Sequence, residues 1–223
     1  MITCIADLLD LTELRRVRQA VQDMAFVDGG ATAGHRAKLV KNNLQMDKRA
    51  PGATEIKKLV MYALRRHPEF QKAAFPKSIR PPLVSRYTPG MAYGLHVDDA
   101  LMGPGGAERS DLAVTIFLSD PADYDGGELI VQGPMGEQQI KLPAGAGVVY
   151  PSSSLHQVAP IERGERLAAV TWVQSKIRDP AKREVLYDLD RVRTALHKLQ
   201  PENEAADLAF KSYSNLLRMW SEN

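Results

Sequence analysis

Cysteine is nearly absent from this chain: Cys4 stands alone. No disulfide can close within the chain, and a cysteine-based metal site is excluded. Long apolar runs are missing too, none approaching the roughly 18 apolar residues that a membrane-spanning helix needs. The opening MITCIADLLDLTELRR is interrupted by Asp7, Asp10 and Glu13, so it does not read as a signal peptide. Nor does one sign of charge dominate, the formal net charge being +2 with 25% charged residues. That balance lends no support to a polyanion-binding protein, and no nucleic-acid partner is expected. Together these absences predict a cytoplasmic protein with no membrane attachment.

What is there suffices for one large domain with a small appendage: 223 residues, 44% of them hydrophobic. Between Asp10 and Met24, Leu14, Val17, Val21 and Met24 recur every three or four positions. Asp10 and Glu13 make a capping pair ahead of them, so this stretch predicts an amphipathic helix. A second helix is predicted from about Thr54 to Arg66 and ends at His67-Pro68. From about Pro81 to Lys176 the pattern becomes short β-rich runs: Leu83–Tyr87, Leu112–Leu118, Glu128–Val131, Gln138–Leu142, Val148–Tyr150, Leu155–Val158 and Leu167–Val173. Breaks such as Pro89-Gly90, Gly126-Gly127 and Gly133-Pro134 separate them, which indicates an antiparallel sandwich or barrel. The helical period then returns. Leu186, Leu189, Val192, Leu196 and Leu199 form one stripe closed by Pro201, and a last helix runs from about Glu204 to Trp220. The leucine stripe serves either to cover the edge of the β core or to build a homodimer interface. Residues 29–48 have weak periodicity and read either as an ordinary surface connection or as a segment over the mouth of a site.

One constellation carries chemistry. In Tyr93-Gly94-Leu95-His96-Val97-Asp98, residues two apart on an extended strand share a face, so His96 and Asp98 can chelate one ion while Leu95 and Val97 point away. Such a pair is weak evidence alone. A second histidine, His156, lies on a late strand of the same β region. Two imidazoles and one carboxylate on one side of a metal leave three positions open, an arrangement typical of non-haem Fe(II) oxygenases. Zinc can use the same ligands, so the triad does not by itself decide the metal. Arg166 helps to decide it. If the chain after His156 turns as a hairpin centred on Glu162, Arg166 pairs with Val158 and sits on His156's face, roughly 7 Å further along; a one-residue slip would reverse this. A guanidinium there suits a carboxylate held in two-point fashion.

The region from about Leu83 to Lys176 resembles the prolyl/lysyl hydroxylase-like branch of the Fe(II)/2-oxoglutarate dioxygenases. The matching pieces are Arg86-Tyr87, His96-Val97-Asp98, Gly126-Gly127-Glu128-Leu129, Gly145–Tyr150, His156-Gln157-Val158 and the arginine ten residues after His156. The whole chain, including its C-terminal helical piece, is similar to the bacterial PKHD-type hydroxylases, a group associated with iron uptake. The resemblance implies a mainly β fold with flanking helices, built on a double-stranded β-helix (jelly-roll) core. It divides the chain into an oxygenase domain over 1–177, with helices in 1–80 and the jelly roll in 81–177, and a helical extension over 178–223. It implies that His96, Asp98 and His156 bind Fe(2+), that Arg166 binds the distal carboxylate of 2-oxoglutarate, and that Tyr87 hydrogen-bonds this cosubstrate. Succinate and CO2 would be co-products, L-ascorbate a helper that re-reduces iron, and the substrate an iron-related small molecule or a peptidyl side chain. Collagen-type prolyl hydroxylases carry lysine where this chain has Arg166, which makes collagen-like substrates a poorer fit. Two other readings stand beside this one: a metal-binding jelly-roll sensor without turnover, and a nucleic-acid repair oxygenase, which would place its arginines differently and show a basic groove.

Overall fold

The computed structural model describes residues 1–32, 37–200 and 202–222. The β region forms two facing antiparallel sheets. The larger runs β1 (Thr3–Ile5), β14 (Gly147–Pro151), β10 (Leu112–Phe117), β17 (Arg166–Ser175), β6 (Leu83–Tyr87), β4 (Leu44–Met46) and β2 (Phe26–Asp28), with β5 (Pro76–Ile79) paired to the far end of β17. The smaller runs β13 (Gly136–Ile140), β12 (Leu129–Gly133), β15 (His156–Val158), β7 (Ala92–His96) and β3 (Lys41–Asn42). Two short ribbons complete it: β8 (Leu101–Met102) with β9 (Glu108–Arg109), and β11 (Tyr124–Gly126) with β16 (Ile161–Gly164). This is the antiparallel sandwich that the short punctuated runs predict, in the jelly-roll form that the family resemblance implies.

Alternation along the strands makes two cores. On β10, Leu112, Val114 and Ile116 turn to one face, and Ala113 and Phe117 to the other; all six residues of the strand are buried, because both sides of the larger sheet are covered. The outer face packs on α1 (Leu11–Gln22), α2 (Ala53–Arg66) and α3 (Pro68–Ala74) through Leu14, Val17, Val21, Ile56, Val60, Leu64 and Phe70. Helix α1 begins with the capping box that its sequence announces: the Thr12 and Glu13 amides donate to Asp10 Oδ1, and the Asp10 amide donates to Glu13 Oε2 at 2.9 Å. The inner face looks across at the smaller sheet and encloses a cavity.

Two helical expectations gain detail. His67-Pro68 does end α2, but it also starts α3. His67 caps both helices, and Pro68 occupies the first turn of α3, where its missing N–H costs nothing. At the C-terminus α4 (Pro180–Leu199) and α5 (Glu204–Trp220) lie where their periodicity puts them. However, the leucine stripe of α4 is not a continuous buried seam. Leu186 is fully buried, whereas Val192 is 50% and Leu199 79% exposed; the second half of α4 meets α5, with Arg193 over the Phe210 and Tyr213 rings. The residues that α4 buries are Arg183, Leu186 and Asp190. Pro201 and His35 lie outside the described residues.

Candidate active site

The two histidines face each other directly. His96 ends β7 and His156 begins β15, and they are Cα partners across this antiparallel pair, their ring centroids 4.2 Å apart. Each ring is fixed in the same way. His96 Nδ1 donates to the Gly94 carbonyl at 2.8 Å and His156 Nδ1 to the Ser154 carbonyl at 3.0 Å. A carbonyl only accepts, so the proton sits on Nδ1 and each Nε2 lone pair is left for another partner. Tyr93 stacks on His96 with centroids 3.6 Å apart, and Tyr150 meets His156 edge-on.

Asp98 joins them from beyond the end of β7. Strand parity is therefore not what aims it; the chain leaves the sheet at His96, and Asp98 turns back so that its Oδ1 lies 3.8 Å from His156 Nε2. One ligand atom from each of His96, Asp98 and His156 falls within 4.8 Å of the others. Leu95 and Val97 point outward, 44% and 48% exposed, as the alternation predicts. Burial drives the electrostatics of the group. It lowers the His96 pKa from 6.5 to about 4, with the neighbouring His156 adding to the effect. It raises that of Asp98, against the pull of His156 and the Trp172 indole. Two neutral imidazoles and one carboxylate form a donor set suited to a divalent cation.

Arg166 reaches the same cavity by a different route from the predicted hairpin. β15 and β17 do not pair: β16 intervenes and pairs with β11, while β17 crosses to the larger sheet, where Arg166 is the Cα partner of Tyr87 and not of Val158. The metal-type ligands thus come from the smaller sheet and Arg166 from the larger one, facing them across the gap. Arg166 is only 1% exposed, and its Nε and Nη2 make no hydrogen bond among the described residues. Its guanidinium lies 5.3 Å from the Tyr87 ring centroid and 5.4 Å from that of Phe117. A buried cation without a partner costs several kcal/mol by order of magnitude, so a bound anion is what such a site fits. Burial pushes the Tyr87 phenol up, with Arg166 and Asn43 pulling the other way.

The cavity between the sheets has a volume of about 580 Å³ and is lined by His96, Asp98, His156, Arg166 and Tyr87 together. Sequence reasoning missed several of its walls. Trp172 and Val170 share the face of Arg166 on β17 at even spacing, a signal that strand parity offers. Tyr93 carried no such signal. Val158 pairs with Tyr93 and His156 with His96, so two steps on β15 match three on β7; the resulting bulge swings Tyr93 round to the face of His96. Residues 41–48 contribute Lys41, Asn43, Gln45 and Lys48, so this segment borders the cavity and is no ordinary surface connection.

Comparison with known proteins agrees with this arrangement. Residues 82–174 match the 2OG-Fe(II) oxygenase superfamily and residues 180–222 the PKHD-type hydroxylase C-terminal domain. A PKHD-type hydroxylase of Synechococcus elongatus is 48% identical over 223 residues, covering 100% of both chains. Another, of Maricaulis maris, is 49% identical over 211 residues, 95% of this chain and 94% of that one. Among solved structures, a prolyl hydroxylase of Trichoplax adhaerens in complex with a hypoxia inducible factor peptide fragment superposes with a TM-score of 0.58 at 17% identity, over 81% of this chain and 86% of that one. A viral collagen prolyl hydroxylase of Paramecium bursaria Chlorella virus-1, in complex with 2OG, gives 0.55 at 19% identity, over 78% and 96%. The structural likenesses show a shared fold, and the full-length sequence identity shows the family: this chain belongs to the PKHD-type hydroxylases, oxygenases of the Fe(II)- and 2-oxoglutarate-dependent superfamily.

Proposed function

We propose that this protein hydroxylates a C–H bond of a small molecule or a peptidyl side chain, with His96, Asp98 and His156 holding Fe(2+) and Arg166 holding the distal carboxylate of 2-oxoglutarate. The observation that carries this reading is the convergence in one cavity of a three-donor cluster and a buried guanidinium whose Nε and Nη2 lack hydrogen bonds. With iron bound, the group supplies O2 activation coupled to oxidative decarboxylation of 2-oxoglutarate to succinate and CO2.

The protein's own part is positional. The Gly94 and Ser154 carbonyls fix both imidazoles with Nε2 free of protons, so metal binding need not displace one. Low proton affinity at His96 keeps that ligand available in mildly acidic solution. Arg166 offers a rigid two-donor fork, and Tyr87 beside it supplies a hydroxyl to the same carboxylate. The two sheets form facing walls around the space between. Residues 1–177 form the oxygenase domain in this reading and 178–223 its helical extension, with ascorbate as re-reductant and the cytoplasm as the place of work. The test is anaerobic addition of Fe(II) and 2-oxoglutarate. A visible charge-transfer band that needs both is expected, and its absence would refute the assignment.

A further inference from the structure

The charged groups around the cavity are unequal in sign. Among the described residues, Lys41, Lys48, Lys57, Arg80 and Arg166 line it against Asp98 and Asp99 as the acids. Some of these are already engaged. Arg80 is paired with Glu108 at 3.0 Å, and the proposed function assigns Arg166 to 2-oxoglutarate and Asp98 to iron. Lys41, Lys48 and Lys57 then remain with Asp99, Lys41 having further interactions of its own. Neither Lys48 nor Lys57 forms an ion pair with any described residue. Lys41 lies over the Tyr93 ring, 5.1 Å from its centroid, within electrostatic reach of Asp98 and Asp28, and close enough to Lys48 to be repelled by it.

The backbone explains how these groups come together. From β3 into β4 the chain is extended, and Lys41, Asn43 and Gln45 are alternate residues that all line the cavity. Asn43 is only 3% exposed; its side chain lies close enough to the Tyr87 hydroxyl to act on it, yet neither amide atom completes a well-formed hydrogen bond among the described residues. A buried amide left in that condition is unfavourable, and a ligand group in the cavity would satisfy it. Lys48 follows at the end of this segment, and Lys57 approaches from α2. One wall of the cavity therefore presents positive charge at its rim and an unsatisfied amide within.

We propose that residues 41–48 and Lys57 form the substrate wall, and that the hydroxylated substrate carries an anionic group, a carboxylate or a phosphate, held among Lys41, Lys48 and Lys57 with Asn43 as an additional hydrogen-bonding partner. This inference rests on the Fe(II)/2-oxoglutarate reading only for the word substrate; the anion subsite stands on the lysines and Asn43. A cationic substrate would meet like charge from Lys48 and Lys57 here, which specificity by repulsion disfavours.

The experiment is equilibrium dialysis of radiolabelled sulfate and radiolabelled acetate, at low salt and without oxygen, against protein loaded with Fe(II) and 2-oxoglutarate so that Arg166 is engaged. About one anion per chain should bind saturably, and in Lys48→Met/Lys57→Met the affinity should fall at least about tenfold, the scale of one lost charge-assisted contact. Preference for sulfate would indicate a phosphate-type group, and preference for acetate a carboxylate. The 2-oxoglutarate affinity, read in the same samples, should stay within about twofold if the two subsites are separate. No saturable binding of either anion, unchanged binding in the double variant, or equal uptake of methylammonium would overturn the proposal. Failure of the iron reading is seen separately, as loss of the charge-transfer band in samples that still take up anion through the lysines.

Discussion

Arg166 and Tyr87 sit opposite each other on β17 and β6, Cα partners in an antiparallel pair, with the guanidinium 5.3 Å from the ring centroid. The larger sheet thus places the positive charge and its hydroxyl-bearing neighbour by register alone. The smaller sheet does the same for His96 and His156. Each half of the site is a cross-strand pair, and the cavity lies between.

This division separates two kinds of failure. Asp98→Ala removes the only carboxylate of the donor cluster and should abolish stable iron retention, measured by metal content after gel filtration. Arg166→Ala should keep iron but weaken 2-oxoglutarate by at least about thirtyfold, since losing one partner of a buried charge pair costs roughly 2–5 kcal/mol. Equal metal content and equal cosubstrate affinity in both variants would refute the division. Arg166→Met should also raise the melting temperature of the ligand-free protein, because it replaces a buried, unpaired cation by an apolar chain of similar length.

Acid should destabilise the metal-free protein through His96. In the folded chain burial holds its pKa at about 4, against 6.5 as the ordinary value. Between those two values the unfolded chain binds the extra proton. The contribution of His96 is therefore full above pH 6.5 and is lost as the pH falls toward 4. Asp98, with its pKa raised, acts in the opposite sense and is common to wild type and variant. The stability difference between wild type and His96→Asn, followed by denaturant melts, should shrink by on the order of 2 kcal/mol across this window. A difference that stays flat would contradict it.

Gly127 holds a backbone φ of +67°, and a Cβ there would lie 2.3 Å from Ile161 Cδ1 and 3.0 Å from Arg166 Cδ. Gly127→Ala should therefore cost about 1–3 kcal/mol of stability through strain and crowding. It should also raise the 2-oxoglutarate requirement by pushing on Arg166, leaving iron content unchanged. Wild-type cosubstrate affinity in this variant would show that Arg166 is not so constrained.

Asp190 on α4 is 1% exposed and binds Lys72 of α3 at 2.9 Å as well as Arg193 on its own helix. Asp190→Ala leaves both cations without their partner and should cost about 2–3 kcal/mol, somewhat less than a fully buried pair because both cations are partly solvated. Asp190→Asn, which keeps the shape and some hydrogen bonding, should cost less. Thermal melts of the two variants check the order.

Much of this was legible in the chain, for reasons that can be named. The capping box at Asp10 and Glu13 and the α2 stripe are local patterns, and local patterns survive folding. His96 and His156 were found by residue type and strand grammar. Arg166 was placed in the right cavity through a wrong pairing, since hairpin logic cannot see a strand that leaves for the opposite sheet. For residues 41–48 the sequence left two readings open, because the strands there are two and three residues long and take partners far away in sequence. α3 escaped because Pro68 reads as a terminator when it is also an initiator. Tyr93 escaped because a bulge shifts the alternation that parity assumes.

The contacts of Glu222 bear on the site from afar. Its amide donates to the Lys176 carbonyl at 2.8 Å and its carboxylate meets Arg109 at 3.3 Å. Arg109 belongs to the β8–β9 ribbon, whose Leu101 and Met102 form part of the cavity wall. The helical appendage, away from the His96, Asp98 and His156 cluster, thereby braces this stretch of the cavity wall, and a change in how α5 docks would be felt there as a change in the wall's shape.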